Sequence, residues 1–244
     1  MAIPVFTNDT NFSANHQFQG ASVSSRSMTV ESTIQRTALL FGLLLITGAV
    51  GWFIPILALP AALSGLGVGL WVSFKREPSA PLTAIYAALQ GFALGGISGA
   101  LESFQPGIVI QAVLATISVF AVVLVMFVNN RLRATPRMTK IFSVAIIGYM
   151  LFSLLNLGLM MTGSIDGMFG INSQTFFGIP IGIPLGILAT LLASYSLVLD
   201  FEYIKHGVAN NVPEKYEWKA AFGLLATIVW LYVEMLRLIS IFRN

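Results

Sequence analysis

The chain has 244 residues, of which 56% are apolar and only 9% charged, and its mean hydropathy is +0.83. That composition exceeds what a soluble core requires, so the lipid bilayer is the expected solvent and partner. The net charge of +3 does not imply nucleic acid, because the basic residues flank apolar runs and form no aromatic-interleaved patch; without cysteine there is no disulfide framework and no thiolate nucleophile.

Residues 1–30 are polar, rich in Asn, Ser and Gln and without periodicity, and read as a disordered tail. Thr29 is the expected N-cap of the helix that follows. A cleaved signal peptide is not expected, since the first apolar stretch begins only after this tail and is longer than a typical h-region. Residues 31–244 are read as one transmembrane domain, all-α and polytopic. Apolar runs long enough to cross the hydrocarbon core predict seven spans: Thr37 to Ile54, Pro60 to Phe74, Pro81 to Leu101, Gly107 to Val128, Ile141 to Met161, Phe177 to Leu199 and Ala220 to Phe242.

The second span is short and carries Gly65, Gly67 and Gly69, which predicts a tight hairpin with the first; Pro55 and Pro60 mark its turn. No strand precedes these glycines, so they are not a dinucleotide fingerprint. Gly91, Gly95 and Gly99 in the third span, and Gly178, Gly182 and Gly186 opening the sixth, put small residues on one helix face where backbones can approach closely. Pro180 and Pro184 lie among the latter and predict an irregular start to the sixth helix, flanking a cavity.

The gaps between spans set the expected orientation. Arg26 and Arg36 precede the first span, Lys75 and Arg76 follow the second, Arg131, Arg133, Arg137 and Lys140 separate the fourth from the fifth, and Lys205, Lys215 and Lys219 separate the sixth from the seventh. The intervening gaps hold no Lys or Arg, only Glu102 and Asp166. Cations collect on the cytoplasmic side, which places the N-terminus there. A complete seventh crossing places the C-terminus opposite.

Ionisable groups inside spans are the functional candidates, because an unpaired charge at the bilayer centre costs about 2.5–3.5 kcal/mol even on the lenient insertion scale. Asp200 sits in SYSLVLDFEYIKHG, either hydrated at the headgroup boundary near Lys205 or buried as a switch. Glu234 sits in VWLYVEMLRLI, three residues before Arg237, where an i,i+3 ion pair is the local alternative to a functional role. Glu102 is read as a loop residue or a pore-mouth carboxylate. Two histidines, His16 and His206, are too few and too far apart for a ligand cluster, so no metal or cofactor is expected. No HExxH, serine elbow or phosphate loop occurs, and an enzyme is not expected.

The segments MTVESTIQRTALL, PGIVIQAVLATISVFAVVLVMF and VLDFEYIKHGVANNVPEKYEWKAAFGLLATIVWLYVEMLRL give the chain its identity: it resembles the transmembrane Bax inhibitor motif family over about residues 30–244, and most closely the bacterial, YccA-like branch. The resemblance implies a seven-helix Bax-inhibitor-like bundle. It also implies a pH-sensing pair of carboxylates, one on the sixth helix and one on the last, that closes a calcium leak path. Asp200 matches the first position, with Phe201 and Glu202 replacing the usual Thr and Gln. Two alignments compete for the second. The local LYVEML match selects Glu234, whereas matching the Arg near the chain end selects Thr227, in which case the carboxylate pair is absent. Counted from the cytoplasmic span ends, Asp200 lies about one turn in, Thr227 about two and Glu234 nearly four, which favours Thr227.

Three functions stay open at this level. The first is a pH-sensitive calcium or cation leak channel gated by a buried carboxylate, in the inner membrane of a bacterium. The second is a non-conducting regulator that binds a membrane protease or another membrane protein, and the third is a proton-coupled carrier.

Overall fold

The computed structural model describes residues 26–165 and 169–243; Asp166, His16 and most of the polar tail lie outside them. Seven helices are long and apolar enough to cross a membrane. They are α1 (Val30–Trp52), α2 (Ala58–Phe74), α3 (Ala80–Phe104), α4 (Ile108–Val128), α5 (Pro136–Met161), α6 (Gly182–Ala209) and α7 (Glu217–Arg243), with one small hairpin, β1 (Thr175–Phe176) and β2 (Ile179–Pro180), before α6. The helices group into two compact units. Among the described residues, the first comprises those up to Ile97 together with Asp200–Ala226, and the second those from Ser98 to Leu199 and from Thr227 to Arg243.

In the first unit, glycines let backbones meet. A Cβ on Gly91 would overlap the backbone carbonyl of Leu44, and one on Gly95 the carbonyl of Gly48, so α1 and α3 touch main chain to main chain. Gly69 of α2 accepts the Tyr86 ring, where a Cβ would lie 2.9 Å from the ring edge. Between α1 and α2, Pro55 opens a single 3-10 turn at Pro55–Leu57, and Pro60 falls in the first turn of α2, where no backbone donor is lost. The tight turn expected at these prolines is therefore present.

The same unit carries a polar staple at the start of α1. Thr29 caps the helix by accepting from Ser32 N at 3.2 Å, and its own N–H donates to Glu217 Oε1 at 2.9 Å. Glu217, fully buried at the first position of α7, also receives Ser32 Oγ and pairs with Arg36 Nε at 2.9 Å. Arg36 also bonds Glu214 and lies 5.0 Å from the Trp218 ring centroid. This corrects the tail boundary at residue 30: Met28 is buried, its N–H donates to Val212 O at 2.7 Å, and Glu214 N donates to Arg26 O at 2.8 Å. Residues 26–30 thus belong to the folded unit.

In the second unit, Asn156 of α5 pins the following loop by accepting from Ile171 N at 2.7 Å and donating to Phe169 O at 3.1 Å. The sixth helix begins later and ends later than its apolar run. Phe177 and Gly178, at φ 52° and 80°, form the two-residue turn of the β1–β2 hairpin, so the predicted irregularity takes the form of a hairpin rather than a kinked helix start. Gly182 and Gly186 then pack against Ile241 and Leu238 of α7.

Candidate functional site

Trp230, Glu234 and Arg237 are spaced i, i+4 and i+7 along α7, which puts them on one face of the helix. In the second unit that face meets Tyr149 of α5. The Tyr149 hydroxyl donates to Glu234 Oε1 and accepts from Arg237 Nη1 at 3.1 Å. Trp230 Nε1 donates to the same carboxylate oxygen at 3.2 Å, and Arg237 pairs with Oε2. The rings of Tyr149 and Trp230 lie 5.9 Å apart by centroids, and the guanidinium carbon lies 5.9 Å from the Tyr149 ring centroid.

Glu234 is only 3% exposed, so its charge is held by three donors rather than by water. Two of these donors come from its own helix and one from α5. The arrangement therefore joins the two helices through a carboxylate, and adding or removing a proton at that carboxylate changes the charge of the joint. The i,i+3 pair between Glu234 and Arg237 forms, with both side chains largely buried.

The other candidates fall elsewhere. Asp200 belongs to the first unit and is 2% exposed, beside buried Phe201 and Ile204 of the same unit. Its carboxylate is therefore buried in the fold rather than exposed at the surface of the chain. Because α6 runs on to Ala209, Asp200 stands about 2.5 turns from the helix end rather than one. Thr227, in the second unit, stands about three turns into α7 and Glu234 nearly five. The Thr227 hydroxyl meets Ser196 Oγ at 3.3 Å, and Ser196 precedes Asp200 by one turn on α6. Glu202 lies 3.6 Å from His206 on its own helix.

Glu102 sits in the last turn of α3 rather than in a loop. Its carboxylate accepts from Gly107 N at 2.6 Å and Val109 N at 3.0 Å, closing the turn into α4 and satisfying two donors at that helix's start. Tyr149, Trp230 and the buried Glu217–Arg36 pair were not singled out by sequence. The spacing of Trp230, Glu234 and Arg237 is visible in the chain, but nothing local marks Tyr149, an ordinary aromatic in an apolar run. Among the described residues, no three His, Asp or Glu side chains gather closely enough to hold a metal ion.

Seven long apolar helices with charged side chains buried within them define a multi-pass integral membrane protein. The chain belongs to the Bax inhibitor 1 like family, whose sequence model matches residues 3–244. No match to the chain was found among curated proteins.

Proposed function

We propose that the protein is a pH-sensitive cation leak channel, with calcium as the ion to test first, in a bacterial inner membrane with its N-terminus in the cytoplasm. The observation that carries this reading is the burial of two carboxylates, Asp200 and Glu234, well inside membrane helices. Burying charge in a bilayer is costly, and intramembrane ionisable groups mark ion paths, proton relays and switches more often than packing. Membership of the family supports the same reading. In this scheme the ionised Asp200 accepts hydrogen bonds that hold α6 in the closed arrangement, and its protonation shifts the population of open and closed states. Glu234, held by Tyr149, Trp230 and Arg237, is the second titrating candidate, and Thr227 is a neutral position that does not titrate.

The test is calcium flux against pH for the purified chain in liposomes, compared with Asp200→Asn and Glu234→Gln. The expected result is a pH-dependent flux in the parent whose dependence flattens in Asp200→Asn while the protein stays folded. Identical pH profiles for parent and Asp200→Asn would reject the gating role. Absence of flux at every pH would reject the channel in favour of a non-conducting regulator, and flux that requires a proton gradient would favour a carrier.

A further inference from the structure

The turn between α4 and α5 differs in sequence from the other basic gaps of the chain. The other basic gaps carry carboxylates in the sequence itself: Glu31 lies between Arg26 and Arg36, Glu77 follows Lys75 and Arg76, and Glu202, Glu214 and Glu217 are interspersed with Lys205, Lys215 and Lys219. From residue 103 to residue 165 the chain contains no Asp or Glu, yet Arg131, Arg133, Arg137 and Lys140 crowd into ten positions there. Membrane orientation does not require this, because it depends on Lys and Arg and is little affected by carboxylates.

The local fold concentrates the charge further. Asn130, at φ 57°, ends α4, with Arg131 N donating to Met126 O at 2.9 Å in the manner of a Schellman cap. Arg133 donates to Asn130 Oδ1, which folds its guanidinium back over the turn. Thr135 caps α5, with Pro136 at the first helical position and no acidic residue in the first turn. Arg137 and Lys140 thus sit at the positive end of the α5 dipole, where a helix favours anions. All four cations are exposed, and Val128, Met138 and Ile141 beside them present apolar surface outward. A ligand that answers both features carries a negative phosphate and a hydrocarbon tail.

We propose that the α4–α5 turn binds the headgroup of an anionic phospholipid, whose phosphate meets the four cations and whose acyl chains lie along the exposed faces of α4 and α5. The site stands apart from the channel reading, since it requires only a bilayer with anionic lipid.

Native mass spectrometry of the purified full chain, titrated with POPG or POPC, tests it. The expected result is a clear preference for POPG that falls about fivefold per cation removed in Arg137→Gln/Lys140→Gln, at about 1 kcal/mol per basic residue near an anionic surface. Lys75→Gln/Arg76→Gln, which removes the same charge from another turn, should keep the preference. Added salt should weaken POPG binding to the parent and leave POPC unchanged, a readout that needs no variant to fold. Equal binding of the two lipids, an undiminished preference in Arg137→Gln/Lys140→Gln, or insensitivity to salt would overturn the site. Displacement of POPG by millimolar inorganic phosphate would also overturn it, by showing a site for the free anion.

Discussion

The strength of the Glu234–Arg237 pair depends on what is left when one partner goes. Two charges out of water attract strongly, but their desolvation offsets much of that, so an intact pair adds little over apolar residues of similar volume. Removing one alone leaves the other buried and uncompensated. Glu234→Leu and Arg237→Leu should therefore each destabilise by about 3–5 kcal/mol, while the double variant returns to within about 1–2 kcal/mol of the parent. Denaturant unfolding of the four proteins in detergent forms the cycle, and additive losses would show that the pair is not coupled. Tyr149→Phe removes a hydroxyl that both donates to Glu234 and accepts from Arg237, and should cost about 1–3 kcal/mol. In Glu234→Leu/Arg237→Leu the same change should cost little, since the groups it served are gone. The site was half legible in the chain. A carboxylate and an arginine three apart inside an apolar run announce a buried pair, but the donor that links them to another helix, Tyr149, comes from 85 residues away and is chosen by packing.

At the scale of helices, the contact between α1 and α3 rests on the absence of side chains. Gly91→Ala and Gly95→Ala place a methyl against main-chain carbonyls of α1, which cannot turn aside as a side chain would. Each should lower stability by about 1–3 kcal/mol, the usual cost of overpacking. Gly67, exposed on α2 with nothing near its Cβ direction, is the control: Gly67→Ala should be neutral or gain about 0.5–1 kcal/mol from helix propensity. Melting midpoints in detergent compare the three, and a similar gain at all of them would mean that propensity rather than contact decides. Hydropathy marked all seven helices and the bounds of the fourth, but misplaced several other ends. It senses hydrocarbon thickness, whereas helices begin at caps: α1 at Thr29 and α5 at Thr135 both start several residues before their apolar runs. The sixth was misplaced at both ends. Its apolar start is taken by the β1–β2 hairpin, where Phe177 occupies a left-handed position that Asn or Gly usually fills, and its polar end continues helical through His206 because backbone hydrogen bonding does not stop where hydrocarbon does.

For the whole molecule, the seven helices and the loop charges together predict which side each connection faces. By their charge the four basic gaps should face the cytoplasm, and the three gaps without Lys or Arg, around residues 55–59, 102–106 and 162–176, the other compartment. Reporter fusions after Arg133 and after Lys215 should give cytoplasmic signals, and fusions near Asp166 the opposite. The C-terminus is the discriminating position. The last helix, Glu217–Arg243, has 27 residues and so spans about 40 Å at 1.5 Å per residue, more than the roughly 30 Å of hydrocarbon it must cross. Its buried polar groups do not argue against a crossing, since Glu217 is neutralised by Arg36 at one end and Glu234 by Arg237 further along, leaving no isolated charge to keep the helix out. Arg243 at the far end donates to Pro106 O at 3.1 Å, in the turn between α3 and α4, which the charge pattern assigns to the non-cytoplasmic side. A reporter fused at the chain end should therefore read non-cytoplasmic. A cytoplasmic signal there, with the other fusions as expected, would mean that α7 enters the membrane and returns to the side from which it came.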